Sequence, residues 1–220
     1  ARGEPPRARG NVSSAPGQAL DRERATAFLN LHSLAGESWP LHCRQVAKVA
    51  RRVSDALQEA SAPVDPELAE VQALLHDIGR SRTHGPLHGW TGFVMVRALG
   101  FPREARGCLT HWLKGREPDE LLGSGRLKPG FVDRAFAPFA TEPWALQDSV
   151  MSLADSCVMN TTIVPLALRH EDLLVRYGDS AWLRRAWELA ERHAEDVSAA
   201  LRFPVEELLA PLHGDRLDSR

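Results

Sequence analysis

Apolar residues recur at steps of three and four through almost the whole chain, and that period decides the class of fold. Val46, Val49, Val53 and Leu57 form one such stripe, with His42 at its start. Trp182, Leu183, Ala186, Trp187, Ala190, Val197 and Leu201 form another, on a segment from Asp179 to about Arg202. No strand-like alternation survives a count, and there is no internal repeat. The chain therefore reads as all-α.

Helix boundaries follow from local chemistry. A helix is expected from Asp21 to Leu34, and Gly36-Glu-Ser-Trp-Pro40 punctuates it, with Ser38 a candidate N-cap. Asp65 caps a helix that has Pro66 in its first turn and runs to His76–Asp77. Ile78-Gly79 ends it, and a polar loop leads to His88, which opens the next helix. Phe101-Pro102 begins a helix carrying Cys108, Leu109 and His111. Glu117 to Pro143 reads as turns around one short helix near Leu121–Leu122. Helices follow from Trp144 to Asp155, around Pro165–Tyr177, and over the long stripe.

The Pro-, Gly- and Arg-rich residues 1–20 lack this periodicity and read as a disordered tail. That leaves a main domain over 21–160 and a helical extension over 161–220.

Composition removes several functional classes. The three cysteines, Cys43, Cys108 and Cys157, are odd in number and lack zinc-ribbon spacing, which argues against a disulfide framework or a cysteine metal site. The net charge of −2 gives no global case for nucleic-acid binding. No apolar run approaches the roughly 20 residues of a membrane span, and no signal-peptide pattern is visible. A cytoplasmic protein acting on a small molecule is the expectation.

The chemistry lies in an ordered series: His42, His76–Asp77, His88, His111 and Asp155. Each sits on an apolar helix face or at a helix end, where an ordinary interior would hold Leu or Val. One histidine in such a place is usually a satisfied core residue. Two carboxylates beside several imidazoles are costly to bury unless cations pair with them. Imidazole nitrogen with carboxylate oxygen suits Fe, Mn, Co, Ni or Zn.

These residues resemble the HD superfamily of metal-dependent phosphohydrolases. Leu74-Leu-His-Asp-Ile-Gly-Arg80 is similar to its LLHDIGK/R segment, and His88 to Gly92 with Leu99-Gly100 is similar to its HxxxG…LxxLG helix. His42-Cys-Arg-Gln-Val-Ala47 and Arg80-Ser-Arg-Thr-His-Gly85 resemble a small prokaryotic HDIG-type subgroup without an assigned substrate. The resemblance runs from about Leu41 to Val158. It implies that His42, His76, Asp77 and Asp155 hold a first divalent transition metal. It implies that His88 and His111, with Asp77 bridging, hold a second. It further implies that a metal-bound hydroxide hydrolyses a phosphate ester or anhydride of a nucleotide or other small phosphorylated metabolite.

Dinuclear members of the superfamily also include HD-GYP phosphodiesterases and di-iron oxygenases that cleave C–H or C–C bonds, and oxygenase chemistry is the alternative. After His111 the chain reads Trp112-Leu-Lys-Gly115, without the Gly-Tyr-Pro motif, which argues against the HD-GYP activity.

Arg80, Arg82, Lys114 and Arg116 follow ligand residues closely and are expected near the metal mouth, with Arg80, Arg82 and Lys114 the candidate phosphate contacts. Asp77 and His84 are the candidate catalytic residues. His84 can serve as a proton donor or replace His88 as a ligand, and the spacing of His88 to Gly92 favours His88. His32, His170, His193 and His213 lie in no motif and read as surface or helix-end residues. Trp90 and Trp112 read as core. The extension beyond Asp155 offers a lid, a homodimer interface or more core.

Overall fold

The computed structural model describes residues 19–218. The expected tail lies outside that range except for Ala19 and Leu20. Leu20 is buried, and its N–H donates to Glu104 Oε1 at 3.1 Å.

Among the described residues, eleven α-helices carry the fold. Asp21 caps α1 (Arg22–His32) by accepting from the Arg24 N–H, and Asp65 caps α3 (Pro66–Leu75) by accepting from Leu68. Ser38 stands before α2 (Trp39–Glu59) but makes no capping bond, because its own backbone is already helical. After α3 the chain tightens into a 3-10 turn over Ile78–Ser81. α4 (His88–Ala98) and α5 (Pro102–Leu113) follow as the spacing predicts.

The stretch read as mostly turns holds two helices, α6 (Pro118–Gly123) and α7 (Pro129–Thr141). Its prolines hide α7: Pro129 occupies the first turn, where its missing N–H costs nothing, and Pro138 lies inside the helix. α8 (Leu146–Ser156) leads into a hairpin, β1 (Val158–Met159) paired antiparallel with β2 (Thr162–Ile163). The all-α reading holds apart from this hairpin, whose two-residue strands are too short to show a period of two. α9 (Leu166–Tyr177), α10 (Ala181–Leu201) and α11 (Val205–Leu209) complete the set.

Among the described residues an apolar cluster reaches from Leu20 to Leu209. α8 packs against α2, α3, α5 and α10, so the helices beyond 160 extend the same core. The buried pair Arg106–Asp148 ties α5 to α8 through two bonds, Nε to Oδ1 at 2.7 Å and Nη2 to Oδ2 at 2.8 Å. No helix among the described residues is long and apolar enough to cross a membrane.

Candidate metal centre

His76 ends α3 with helical backbone angles, and Asp77 (φ −102°, ψ 10°) begins the tight turn. The change of helical pitch lets two consecutive side chains face one centre. The turn can lie against α4 only because residue 79 is glycine: a Cβ there would stand 2.0 Å from the His88 carbonyl oxygen. α4 in turn meets α5 at Gly89, where a Cβ would stand 2.4 Å from the Trp112 Cβ. These two close approaches bring His88 and His111 to Asp77.

Four imidazoles converge. Each gives Nδ1 to a backbone carbonyl: His42 to Asn160 (2.8 Å), His76 to Ala73 (2.7 Å), His88 to Gly85 (3.0 Å) and His111 to Gly107 (3.3 Å). A carbonyl only accepts, so Nδ1 carries the proton in each neutral ring and Nε2 presents a lone pair. This is the arrangement in which a metal-binding histidine is held by its second ring nitrogen.

The lone pairs point at one another and at carboxylate oxygens. His88 Nε2 lies 3.2 Å from His111 Nε2, a contact with no proton to share. Asp77 Oδ1 lies 3.2 Å from His88 Nε2 and 3.4 Å from His111 Nε2. His42 Nε2 and His76 Nε2 stand 3.1 and 3.7 Å from Asp155 Oδ1. His76 Nε2 and Asp77 Oδ1 are buried without any hydrogen-bond partner.

A cation resolves each of these contacts. An ion bonded at about 2.1 Å needs donors spaced at roughly 3 to 4 Å. In two triplets, His42–His76–Asp155 and His76–Asp77–His111, the donor atoms all lie within 4.8 Å of one another. Asp77 turns Oδ1 to the His88 and His111 side, and its Oδ2 is 3.8 Å from His76 Nε2. The residues present therefore fit one or two divalent transition-metal ions.

The electrostatics agree. Burial holds His76 neutral, its pKa lowered to about 3, and also lowers that of His111. Burial by itself would raise the pKa of both aspartates. At Asp155 the Lys114 ammonium opposes it, and the carboxyl is held well below its usual range. Arg80 Nε holds Asp77 Oδ2 at 2.5 Å, and Lys114 Nζ holds Asp155 Oδ2 at 2.7 Å.

All six expected ligands thus share one cluster. His84 does not join it: it is exposed, with Nε2 4.0 Å from Glu37 Oε1, on the rim of a mouth of about 500 Å³. His42, Asp77 and Arg80 line the same mouth, as do Arg169 and Arg176. Lys114 and Arg80 reach the centre through the carboxylates they hold. Arg82 is exposed and does not line the mouth. Arg116 is not near the mouth as expected; it is buried, its guanidinium 3.8 Å over the Trp182 ring, because α10 covers that turn.

His193 is not a surface residue either. It is buried and stacked on Trp144, with ring centroids 5.1 Å apart. Its Nε2 donates to the Lys114 carbonyl at 3.1 Å, bracing the left-handed turn at Lys114 (φ 55°) that aims Nζ at Asp155. The motif run gives no sign of Asn160, Arg169, Arg176 or His193, which come from the hairpin and the later helices. One local signal exists, Asp172 placed between Arg169 and Arg176 at helical spacing, where it pairs with both.

Residues 41–160 match the HD domain family. An uncharacterized protein of Methanocaldococcus jannaschii is 29% identical over 147 residues, covering 67% of this chain and 80% of that protein. No solved structure matches. The matched stretch holds all six convergent side chains, and the chain belongs to the HD domain family, whose members are in general metal-dependent hydrolases.

Proposed function

We propose that this protein hydrolyses a phosphate ester or anhydride of a nucleotide or other small phosphorylated metabolite. One observation carries the reading: the unpartnered imidazole and carboxylate atoms lie beneath a mouth on which three arginines stand, Arg80, Arg169 and Arg176. Arginine suits an anion with several oxygens, and phosphate is the anion the family acts on.

Divalent metal ions in the cluster would supply Lewis acidity and an activated water. His42, His76, Asp77 and Asp155 would hold one ion, and His88 and His111 with Asp77 the other. Arg80 orients Asp77 and, with Arg169 and Arg176, draws the substrate anion to the mouth. Asp172 pairs with both Arg169 and Arg176, which fixes those side chains before substrate arrives. His84, beside Glu37 on the rim, would give a proton to the leaving oxygen.

The test is an anaerobic assay of the manganese- or cobalt-loaded protein on phosphomonoesters, cyclic nucleotides and dinucleoside polyphosphates. Turnover without dioxygen is the expected result, with KM raised in Arg169→Ala and Arg176→Ala. Failure on every phosphate, with dioxygen consumed by the iron-loaded protein, would overturn the reading in favour of oxygenase chemistry.

A further inference from the structure

Beside the metal centre lies a second cavity of about 160 Å³. Its polar wall is Lys114, Asp155 and Ser156, where Lys114 Nζ bonds Asp155 Oδ2 and lies 3.3 Å from Ser156 Oγ. The rest is mainly apolar and comes from α9 and α10, with Leu173, Leu183, Trp187 and Ala190 prominent. Arg169 lines both this cavity and the mouth of the metal centre, so the two spaces share a wall.

The space is a pocket partly open to solvent between α9 and α10. A dry apolar cavity of about 150 Å³ is large enough to take benzene. At the polar side Lys114 holds the Asp155 carboxylate, which also faces His42 and His76, while Arg169 on the same lining pairs with Asp172. A molecule with an anionic head at the metal centre and an apolar body in the cavity matches both parts.

We propose that this cavity is a specificity pocket for an apolar group about the size of a benzene ring, carried by the phosphate compound that the metal centre binds. The inference rests on the phosphate reading above and narrows it to phosphates with an aryl or branched-alkyl substituent. It also gives the helices beyond residue 160 a role in choosing the substrate.

Two non-hydrolysable probes test it, phenylphosphonate and methylphosphonate, titrated by calorimetry into the manganese-loaded full chain. The phenyl compound is expected to bind at least tenfold more tightly. Ala190→Phe, which fills the cavity, should remove that preference while methylphosphonate keeps its affinity. Ala186→Leu, at a half-buried position on the same wall, decides the matter if Ala190→Phe does not fold. Equal binding of the two probes to the wild type, or a preference that survives in a folded filled variant, would overturn the pocket and leave the phosphate reading standing. If neither probe binds the metal-loaded protein, the phosphate reading fails and the pocket fails with it.

Discussion

Gly79→Ala adds one methyl group at the place where the turn after Asp77 meets α4. That carbon would lie 2.0 Å from the His88 carbonyl oxygen and 2.6 Å from the Gly92 nitrogen. Nonbonded heavy atoms settle near 3.5 Å, so the two backbones must part by roughly 1.5 Å. Both obstacles are backbone, so no side chain can swing aside. The cost belongs at or above the top of the overpacking range, about 3 kcal/mol. For a chain of this size that lowers Tm by roughly 6–12 °C. The same displacement pulls His88 from Asp77, now 3.2 Å apart, so bound metal should fall as well. Gly123→Ala is the control, since nothing lies within 4 Å of its added carbon. Circular dichroism melting gives Tm, and elemental analysis gives metal content. A Gly79→Ala protein that melts with the wild type and holds as much metal would refute this account of how the two elements meet.

Three further outcomes are expected. Asp148→Ala strands the buried Arg106 guanidinium and should cost about 3–5 kcal/mol by denaturant titration; a loss under 1 kcal/mol would mean that this pair does not tie α5 to α8. Burial lowers the His193 pKa below 6.5, so folding favours its neutral form. Its contribution to stability is then complete above pH 6.5 and is lost as pH falls from there through the lower folded value. His193→Gln should accordingly flatten the dependence of Tm on pH below 6.5, and an unchanged slope would contradict the burial argument. Saturating metal at about 100 times Kd should stabilise the apo protein by about 2.7 kcal/mol, and a melt indifferent to metal would count against the cluster as a binding site.

Much of this was legible in the sequence because the helices carry their period openly. The stripe of Val46, Val49, Val53 and Leu57 needs only a count. The six candidate ligands were legible for a related reason: each interrupts an apolar face with a group that burial penalises. Other features depend on tertiary contacts. His193 lies in no motif, and its burial follows from stacking on Trp144, 49 positions earlier. α7 was obscured because Pro129 and Pro138 read locally as turn residues. The hairpin is too short to show alternation, yet its Asn160 carbonyl holds His42. Arg116 follows His111 closely in sequence, but the left-handed turn at Lys114 and Gly115 sends it under α10 instead of towards the mouth.

Four Nε2 lone pairs and two carboxylates are proposed to hold two metal ions. The decisive measurement is metal content per chain after anaerobic loading and removal of free metal. Close to two ions are expected in the wild type and in His84→Ala, and close to one in His88→Ala. A wild type that retains no metal, or a loss in His84→Ala with none in His88→Ala, would contradict that assignment.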